Sequence, residues 1–186
     1  MFNNVIPDKK GTVIAIIGLA GSGKTTLAKG LFKKIHEYSD RQVVLLDSDD
    51  MRKFFIKNKL GHSIQDRWRA LERSSFTISI LEKMGAVTIL TGIFPKKEHR
   101  DYLREHARNL IYIYLNTPLD ICRKRHPSQL YSKAKNSKTS NVIGVNVHFE
   151  IPDVNEVHFT MSTENKTIQA CVDAAFNFLY QSNLMC

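Results

Sequence analysis

The chain has 186 residues, of which 42% are hydrophobic and 24% are charged. This length suits one folded domain with a sizeable core, and the composition is ordinary for a soluble globular protein. The sequence contains no run of about 18 or more apolar residues, which argues against a membrane-spanning helix.

The formal net charge of +9 indicates an anionic partner. A basic chain of this size binds nucleic acid, or it is a small enzyme whose positive clefts steer polyanionic nucleotides. The basic residues are scattered and are not interleaved with aromatic residues as in single-strand binders. We therefore favour a small-molecule nucleotide as partner, without nucleic acid or membrane. A nucleic-acid end kinase stays open as an alternative.

The termini and the cysteines indicate a cytoplasmic protein. The segment from Met1 to Lys10 lacks the apolar stretch of a signal peptide. Cys122, Cys171 and Cys186 are far apart and form neither a disulfide framework nor a zinc pattern. The seven histidines show no spacing typical of metal ligands.

The first predicted strand and helix flank a phosphate-binding loop. Val13–Ile17 is a short apolar run typical of a buried parallel strand, and residues 25–38 have helical periodicity. Between them, GLAGSGKT matches the P-loop pattern G-x-x-x-x-G-K-[ST]. Lys24 can reach the β- and γ-phosphates of ATP, and the Thr25 hydroxyl can ligate Mg²⁺. The residues expected to bind ATP are Gly18, Ala20, Gly21, Ser22, Gly23, Lys24, Thr25 and Thr26.

An acidic cluster follows the second predicted strand, Gln42–Leu46. Asp47, Asp49 and Asp50 lie at the carboxyl end of this strand, the edge at which the P-loop also lies. A carboxylate there can hold Mg²⁺ or take the proton of an attacking hydroxyl. The alternative is that Asp49 or Asp50 caps a helix predicted over 50–58. Arg52 would face anionic groups of an acceptor.

The remaining elements continue the alternation of strands and helices. Further strands are predicted at 86–90, 110–115 and 156–160, and further helices at 65–84, 97–107, 118–124 and 166–180, with Thr117 as an N-cap. This order predicts an α/β fold of the P-loop NTPase type, with a parallel sheet flanked by helices. The polar stretch from Gln129 to Asn146 predicts a mobile loop. We expect one kinase domain over 1–186 with a lid at roughly 125–148.

Several blocks, in this order, resemble the adenylylsulfate kinase (APS kinase) family. The resemblance extends from about Gly11 to Thr160. The blocks that carry it are 18–28, 46–52, 60–67, 93–95, 117–125, 130–135, 144–146 and 149–152. The P-loop alone is shared by many families, whereas this ordered set is much more specific.

The resemblance implies a reaction and a set of roles. The family transfers the γ-phosphoryl group of ATP to the 3′-hydroxyl of adenylyl sulfate. It implies that Asp49 is the base, that Asp47 lies near Mg²⁺ with Thr25, and that Lys24 acts on the transferred group. Arg52 and Arg67 would hold the acceptor phosphate, and Lys133 would belong to the lid. Members are often homodimers.

The acceptor side departs from the family pattern. His62 and Val142 replace two phenylalanines that would sandwich the adenine of the acceptor, with stacking of roughly 1–3 kcal/mol per ring. Ala70 replaces an asparagine, and Phe94, beside Ile93, replaces a serine. Further departures are Ser48, Asp50 and Asn146. The acceptor-binding residues are expected to be Arg52, His62, Arg67, Ile93, Phe94, Lys133 and Val142.

These departures leave three hypotheses open. The chain is a divergent APS kinase, or it phosphorylates another modified nucleotide. A close relative of the family phosphorylates the 3′-hydroxyl of cytidine diphosphoramidate in capsule decoration. The third hypothesis is a non-catalytic P-loop protein that only binds nucleotide. The retained Lys24, Thr25, Asp47 and Asp49 argue against it.

Overall fold

The computed structural model describes residues 10–54, 60–125, 131 and 141–182, and its central strand is β1 (Thr12–Gly18). All residues of β1 are buried, because helices cover both faces of the sheet around it. Successive side chains alternate between the faces. Ile14 and Ile16 pack into one hydrophobic core, whereas Val13 and Ile17 pack into the other.

Five parallel strands form one sheet in the order β2–β3–β1–β4–β5. The other strands are β2 (Val43–Asp47), β3 (Val87–Gly92), β4 (Leu110–Leu115) and β5 (Phe159–Met161). The described helices are α1 (Lys24–Tyr38), α2 (Ser48–Phe54), α3 (Ile64–Lys83), α4 (Lys97–His106), α5 (Leu119–Arg125) and α6 (Ile168–Gln181). The predicted α/β fold with a parallel sheet flanked by helices is confirmed.

The helices bury apolar stripes on opposite faces of the sheet. On one face, Leu31 of α1 and Leu179 of α6 are fully buried in the same core. On the other face, Leu71 of α3 and Leu103 of α4 are buried in the second core. None of the helices in the described part of the chain is long and apolar enough to cross a bilayer.

The start of α2 corrects the capping hypothesis for the acidic cluster. The helix begins at Ser48, two residues before the predicted start, and Asp49 and Asp50 lie in its first turn. Asp47 accepts a hydrogen bond from the Asp49 N–H at 2.9 Å. Asp47 therefore caps this helix, and Asp49 is left for another role. Residues 55–58 of the predicted helix lie outside the described residues.

Thr117 does not act as the N-cap that the sequence predicts. Its hydroxyl is hydrogen bonded to the carbonyl of Ser22 at 3.4 Å and to the hydroxyl of Thr163 at 3.0 Å. α5 begins at Leu119, so Pro118 precedes it. Thr117 thus connects the end of β4 to the P-loop and to the segment after β5.

The predicted lid is described only in part. Residues 126–130 and 132–140, including Lys133, lie outside the described residues. Gly144 adopts a positive φ of 83°, and a Cβ there would lie 3.3 Å from side-chain atoms of Leu19 and Leu119. The described end of the predicted lid therefore packs directly on the P-loop.

Candidate functional site

One large cavity, of about 1330 Å³, lies at the carboxyl end of the sheet. The P-loop lines one end of the cavity. The acidic residues after β2 and the loop after β3 line further parts of it. Ligands of parallel α/β sheets bind at this edge, because the loops after the strands diverge there. The residues that line it and that the sequence singled out are Ala20, Gly21, Gly23, Lys24, Thr25, Thr26, Asp47, Asp49, Arg52, His62, Arg67, Ile93, Phe94 and Val142.

Gly18 and Ser22 of the P-loop shape the loop without lining the cavity. Gly18 is the last residue of β1, and a Cβ there would lie 2.8 Å from the carbonyl oxygen of Leu115. Ser22 is fully buried, and its carbonyl accepts hydrogen bonds from Thr117 and Thr163. Both positions are therefore determined by the packing of the loop against β4 and the segment after β5.

Lys24 is the partly buried cation of the P-loop. Its ammonium donates a hydrogen bond to the carbonyl of Leu19 at 2.7 Å. Burial lowers the pKa of Lys24 to about 8, although Asp49 and Asp47 favour its charged form. Gly23, with a positive φ of 102°, provides the left-handed turn that starts α1 at this lysine. The turn brings the cation and the first N–H groups of α1 to the same end of the cavity.

Asp47 is placed to hold a cation beside the P-loop. Its Oδ2 accepts a hydrogen bond from the Thr25 hydroxyl at 2.9 Å. Burial alone would raise the pKa of Asp47, but hydrogen bonds from the Asp49 backbone and from Thr25 outweigh burial, so the pKa lies below its usual value. The group is ionised at neutral pH. A carboxylate and a hydroxyl at this position are the hard oxygen ligands that Mg²⁺ prefers.

Two arginines form the centre of the opposite wall. The Arg67 guanidinium is largely buried and donates to two backbone carbonyls, those of His62 at 3.2 Å and Asn141 at 3.1 Å. Burial lowers the pKa of Arg67 to about 10, and repulsion from Arg52 adds to the effect. Arg52 Nε lies 4.0 Å from Oδ1 of Asp49, whose side chain is largely exposed. The pair therefore offers positive charge to an anion in the cavity.

The rest of the acceptor wall is largely apolar. Phe94 is 9% exposed, and its φ of 43° is unusual for a residue with a Cβ. Its ring covers Gly92, where a Cβ would lie 2.6 Å from Phe94 Cζ. Val142 is also buried, whereas His62 is exposed at the cavity. Lys133 lies outside the described residues.

Sequence comparisons identify the family. A profile described as adenylylsulphate kinase matches residues 10–160 of this chain. The chain belongs to the adenylylsulfate kinase family. The adenylyl-sulfate kinase of Clostridium acetobutylicum is 33% identical over 178 residues, covering 95% of this chain and 87% of that protein. The adenylyl-sulfate kinase of Clostridium kluyveri is 33% identical, covering 92% of this chain and 84% of that protein.

A solved structure of the APS kinase family matches the fold closely. It is the APS kinase of Mycobacterium tuberculosis in complex with AMPPNP and APS, with a TM-score of 0.81 and 26% identity. The match covers 92% of this chain and 99% of that chain. As a member of this family, the present chain is a nucleotide kinase, a phosphotransferase that uses ATP.

Sequence reasoning missed Thr163, Lys166 and Cys171 at the donor end of this APS kinase family site. Arg125 donates from its guanidinium to the hydroxyl of Thr163 at 2.7 Å and to its carbonyl at 3.2 Å, and both residues line the cavity. Thr163 follows β5, so the rule that ligands gather after parallel strands could have found it. Lys166 and Cys171 extend this wall.

Arg100 stabilises the acceptor wall of the kinase through an ion pair and two hydrogen bonds to backbone carbonyls. Its side chain is 1% exposed and pairs with Glu156 at 2.7 Å. The same guanidinium donates to the carbonyls of Phe94 at 3.2 Å and Glu150 at 3.1 Å. These bonds hold the strained Phe94 loop against the segment after the predicted lid.

Arg100→Ala should destabilise the protein by about 1–3 kcal/mol, because it leaves the carbonyls of Phe94 and Glu150 and the Glu156 carboxylate without their donor. Burial alone would raise the pKa of Glu156, but the hydrogen bond and charge of Arg100 outweigh burial and hold the pKa below its usual value. The stabilisation is therefore present above the usual pKa of a glutamate and is lost as the pH falls through the lower folded-state value.

Urea unfolding at neutral and acidic pH measures this effect. The matched control is Arg69→Ala, which removes an exposed ion pair with Asp66 at 3.7 Å and should change stability far less than Arg100→Ala does. Equal losses for the two variants, or a loss at Arg100 that does not shrink in acid, would contradict the role of the buried pair.

Proposed function

We propose that this chain transfers the γ-phosphoryl group of ATP to the 3′-hydroxyl of adenylyl sulfate. The observation that carries the proposal is the pair Arg52 and Arg67, which lines the same cavity as the P-loop with Asp49 beside it. The Mycobacterium tuberculosis APS kinase complexed with AMPPNP and APS supports it, because this chain shares its fold and its family.

The donor half of the reaction falls to the P-loop and its neighbours. Backbone N–H groups at the start of α1 and the Lys24 ammonium bind the phosphates of ATP. Thr25 and Asp47 would hold Mg²⁺, since their oxygens already meet at 2.9 Å at this end of the cavity. Bound by these two residues, Mg²⁺ would supply positive charge to the phosphates of ATP.

The acceptor half falls to Asp49 and the two arginines. The Asp49 side chain is largely exposed and lines the cavity between the P-loop and Arg52. It orients the 3′-hydroxyl and takes its proton as the new oxygen–phosphorus bond forms, while the bond between the γ-phosphorus and the bridging oxygen breaks and ADP leaves. Arg52 and Arg67 bind the anionic groups at the other end of the acceptor. Lys133 belongs to the same proposal as a residue of the lid.

A different modified nucleotide is the second candidate for the acceptor. The observation that favours it is the wall around Phe94 and Val142, which lacks the pair of phenylalanine rings that the family places around adenine. A pyrimidine base needs less aromatic surface than adenine. Cytidine diphosphoramidate is one acceptor of this kind.

An acceptor screen separates the candidates. ADP release would be followed in a coupled assay with adenylyl sulfate and with cytidine and uridine nucleotides that carry modified phosphates. We expect kcat/KM to be highest with adenylyl sulfate. If a cytidine or uridine nucleotide were preferred, the acceptor would be the second candidate and not adenylyl sulfate. If the protein bound ATP but transferred phosphate to none of these nucleotides, it would be a non-catalytic nucleotide-binding protein.

A further inference from the structure

The imidazole of His99 is a buried polar group without a protein partner. The residue is 1% exposed, and neither Nδ1 nor Nε2 has a hydrogen-bond partner within the described structure. Buried side-chain nitrogens nearly always have one, so an orphaned pair needs an explanation. His99 also lines the large cavity at the acceptor end, next to the Phe94 loop.

The ring of His99 is held in place by stacking. The indole of Trp68 lies against it with centroids 4.5 Å apart and an angle of 27° between the planes. Tyr102 in turn contacts Trp68 edge-on at 5.6 Å. These contacts fix the plane of the imidazole and leave a half-turn about χ2, a roughly two-fold torsion, as its remaining freedom. Such a rotation can turn a ring nitrogen toward a ligand in the cavity.

The surroundings of His99 favour an anion. Burial lowers the pKa of His99 to about 4, and Arg67 of α3 and Lys96 and Arg100 at the start of α4 add to the effect, while Glu150 opposes it. The ring is therefore neutral near pH 7, with one N–H donor. It lies in the first turn of α4, where the helix dipole also attracts negative charge.

We propose that His99 donates a hydrogen bond to the anionic end of the acceptor nucleotide and helps to select acceptors that carry a second anionic group beyond the 5′-phosphate. This inference rests on the proposed function, in which Arg52 and Arg67 bind the same end of the acceptor. It adds His99 to the acceptor-binding residues, although no sequence motif indicates that this residue binds a ligand. It also gives the N–H donor of the buried ring a partner.

Kinetics of His99→Phe test the proposal. Phenylalanine keeps an aromatic ring against Trp68 and removes both nitrogens. We expect the KM for adenylyl sulfate to rise about 10- to 100-fold, the scale of one lost hydrogen bond to a charged group, while the KM for ATP stays within about twofold. The melting temperature should stay the same or rise, because the substitution removes unpartnered buried nitrogens. An unchanged KM for adenylyl sulfate would assign His99 to packing alone.

Two further measurements test the hydrogen bond and the selectivity separately. At least one of His99→Asn and His99→Gln, which offer an amide donor near the positions of Nδ1 and Nε2, should keep the KM within about threefold. A large rise of the KM in both variants would contradict the proposed hydrogen bond from His99. The affinity for AMP, which lacks the sulfuryl group, should be the same in wild type and His99→Phe. An equal loss for AMP and adenylyl sulfate would contradict selection of the second anionic group.

A titration with inorganic sulfate separates failure of this inference from failure of the proposed acceptor. Protein labelled with ¹⁵N in histidine would be titrated, with the His99 signal identified by its absence in His99→Gln. We expect the His99 signal to move and the signal of His106, stacked on Tyr102 on the same helix, to stay. A stationary His99 signal overturns the inference even if adenylyl sulfate proves to be the acceptor. Movement supports it even if the acceptor is another nucleotide.

Discussion

Lys24→Ala abolishes measurable turnover, with an expected loss of at least about 10³-fold in kcat/KM. The loss is large because phosphoryl transfer depends almost entirely on positioning and on neutralising charge, and arginine or lysine groups at the transferred phosphate contribute on this scale. The Lys24 ammonium is the partly buried cation of the P-loop and lies 2.7 Å from the Leu19 carbonyl oxygen. In its absence, the γ-phosphate loses the positive charge that the P-loop provides at this end of the cavity.

The matched control is Lys29→Ala, five residues further along α1 on the exposed face of the helix. It removes the same charge from the same helix outside the cavity and should leave kcat/KM within about twofold. Circular dichroism and the melting temperature check that both variants are folded. Near wild-type activity of folded Lys24→Ala would contradict the assignment of the donor site.

Asp49→Asn should lower kcat by about 10²- to 10⁴-fold while the affinity for ATP changes by less than about threefold. The range is that of a positioned general base, and asparagine keeps the size of the side chain but cannot accept the proton. The two effects separate because the Asp49 carboxylate lies beside Arg52 on the acceptor side, whereas Asp47 is bonded to Thr25 on the donor side. Single-turnover rates and nucleotide titrations measure them independently.

Asp50→Asn is the control for this substitution. Asp50 is adjacent in sequence, lies in the same first turn of α2 and does not line the cavity. We expect its kcat to remain within about threefold of wild type. If Asp49→Asn instead weakened ATP binding as much as it lowered kcat, Asp49 would be assigned to the magnesium site and the base would have to be sought elsewhere.

The donor half of the site could be predicted because its signals are local. The glycines, Lys24 and Thr25 occur in one short motif, and the apolar run before them is followed by a periodic helix. The strand order brings Asp47 to the same edge, as the alternation of elements predicts. The predicted start of α2 was two residues too late because the helix is capped by the side chain of Asp47. We had interpreted Asp47 as a metal ligand and had not considered it as a cap.

The acceptor half could be predicted only in part, because it depends on contacts between distant segments. Arg67 is held by a carbonyl 74 residues away, that of Asn141. The sequence around Phe94 does not predict its positive φ. This backbone conformation is stabilised by the hydrogen bond from Arg100 to the Phe94 carbonyl. His99 gave no sequence signal, since its burial and its missing partners follow from the packing of α3 against α4.

The position of the transferred phosphate tests the central claim most directly. The protein would be incubated with Mg²⁺, ATP and adenylyl sulfate, and the product analysed by ³¹P NMR and mass spectrometry. We predict one ADP for each new phosphomonoester, with the phosphorus coupled to the 3′ proton of the ribose, and no product from 3′-deoxyadenylyl sulfate. ADP release without a phosphorylated nucleotide, or equal transfer to the 3′-deoxy compound, would contradict the account.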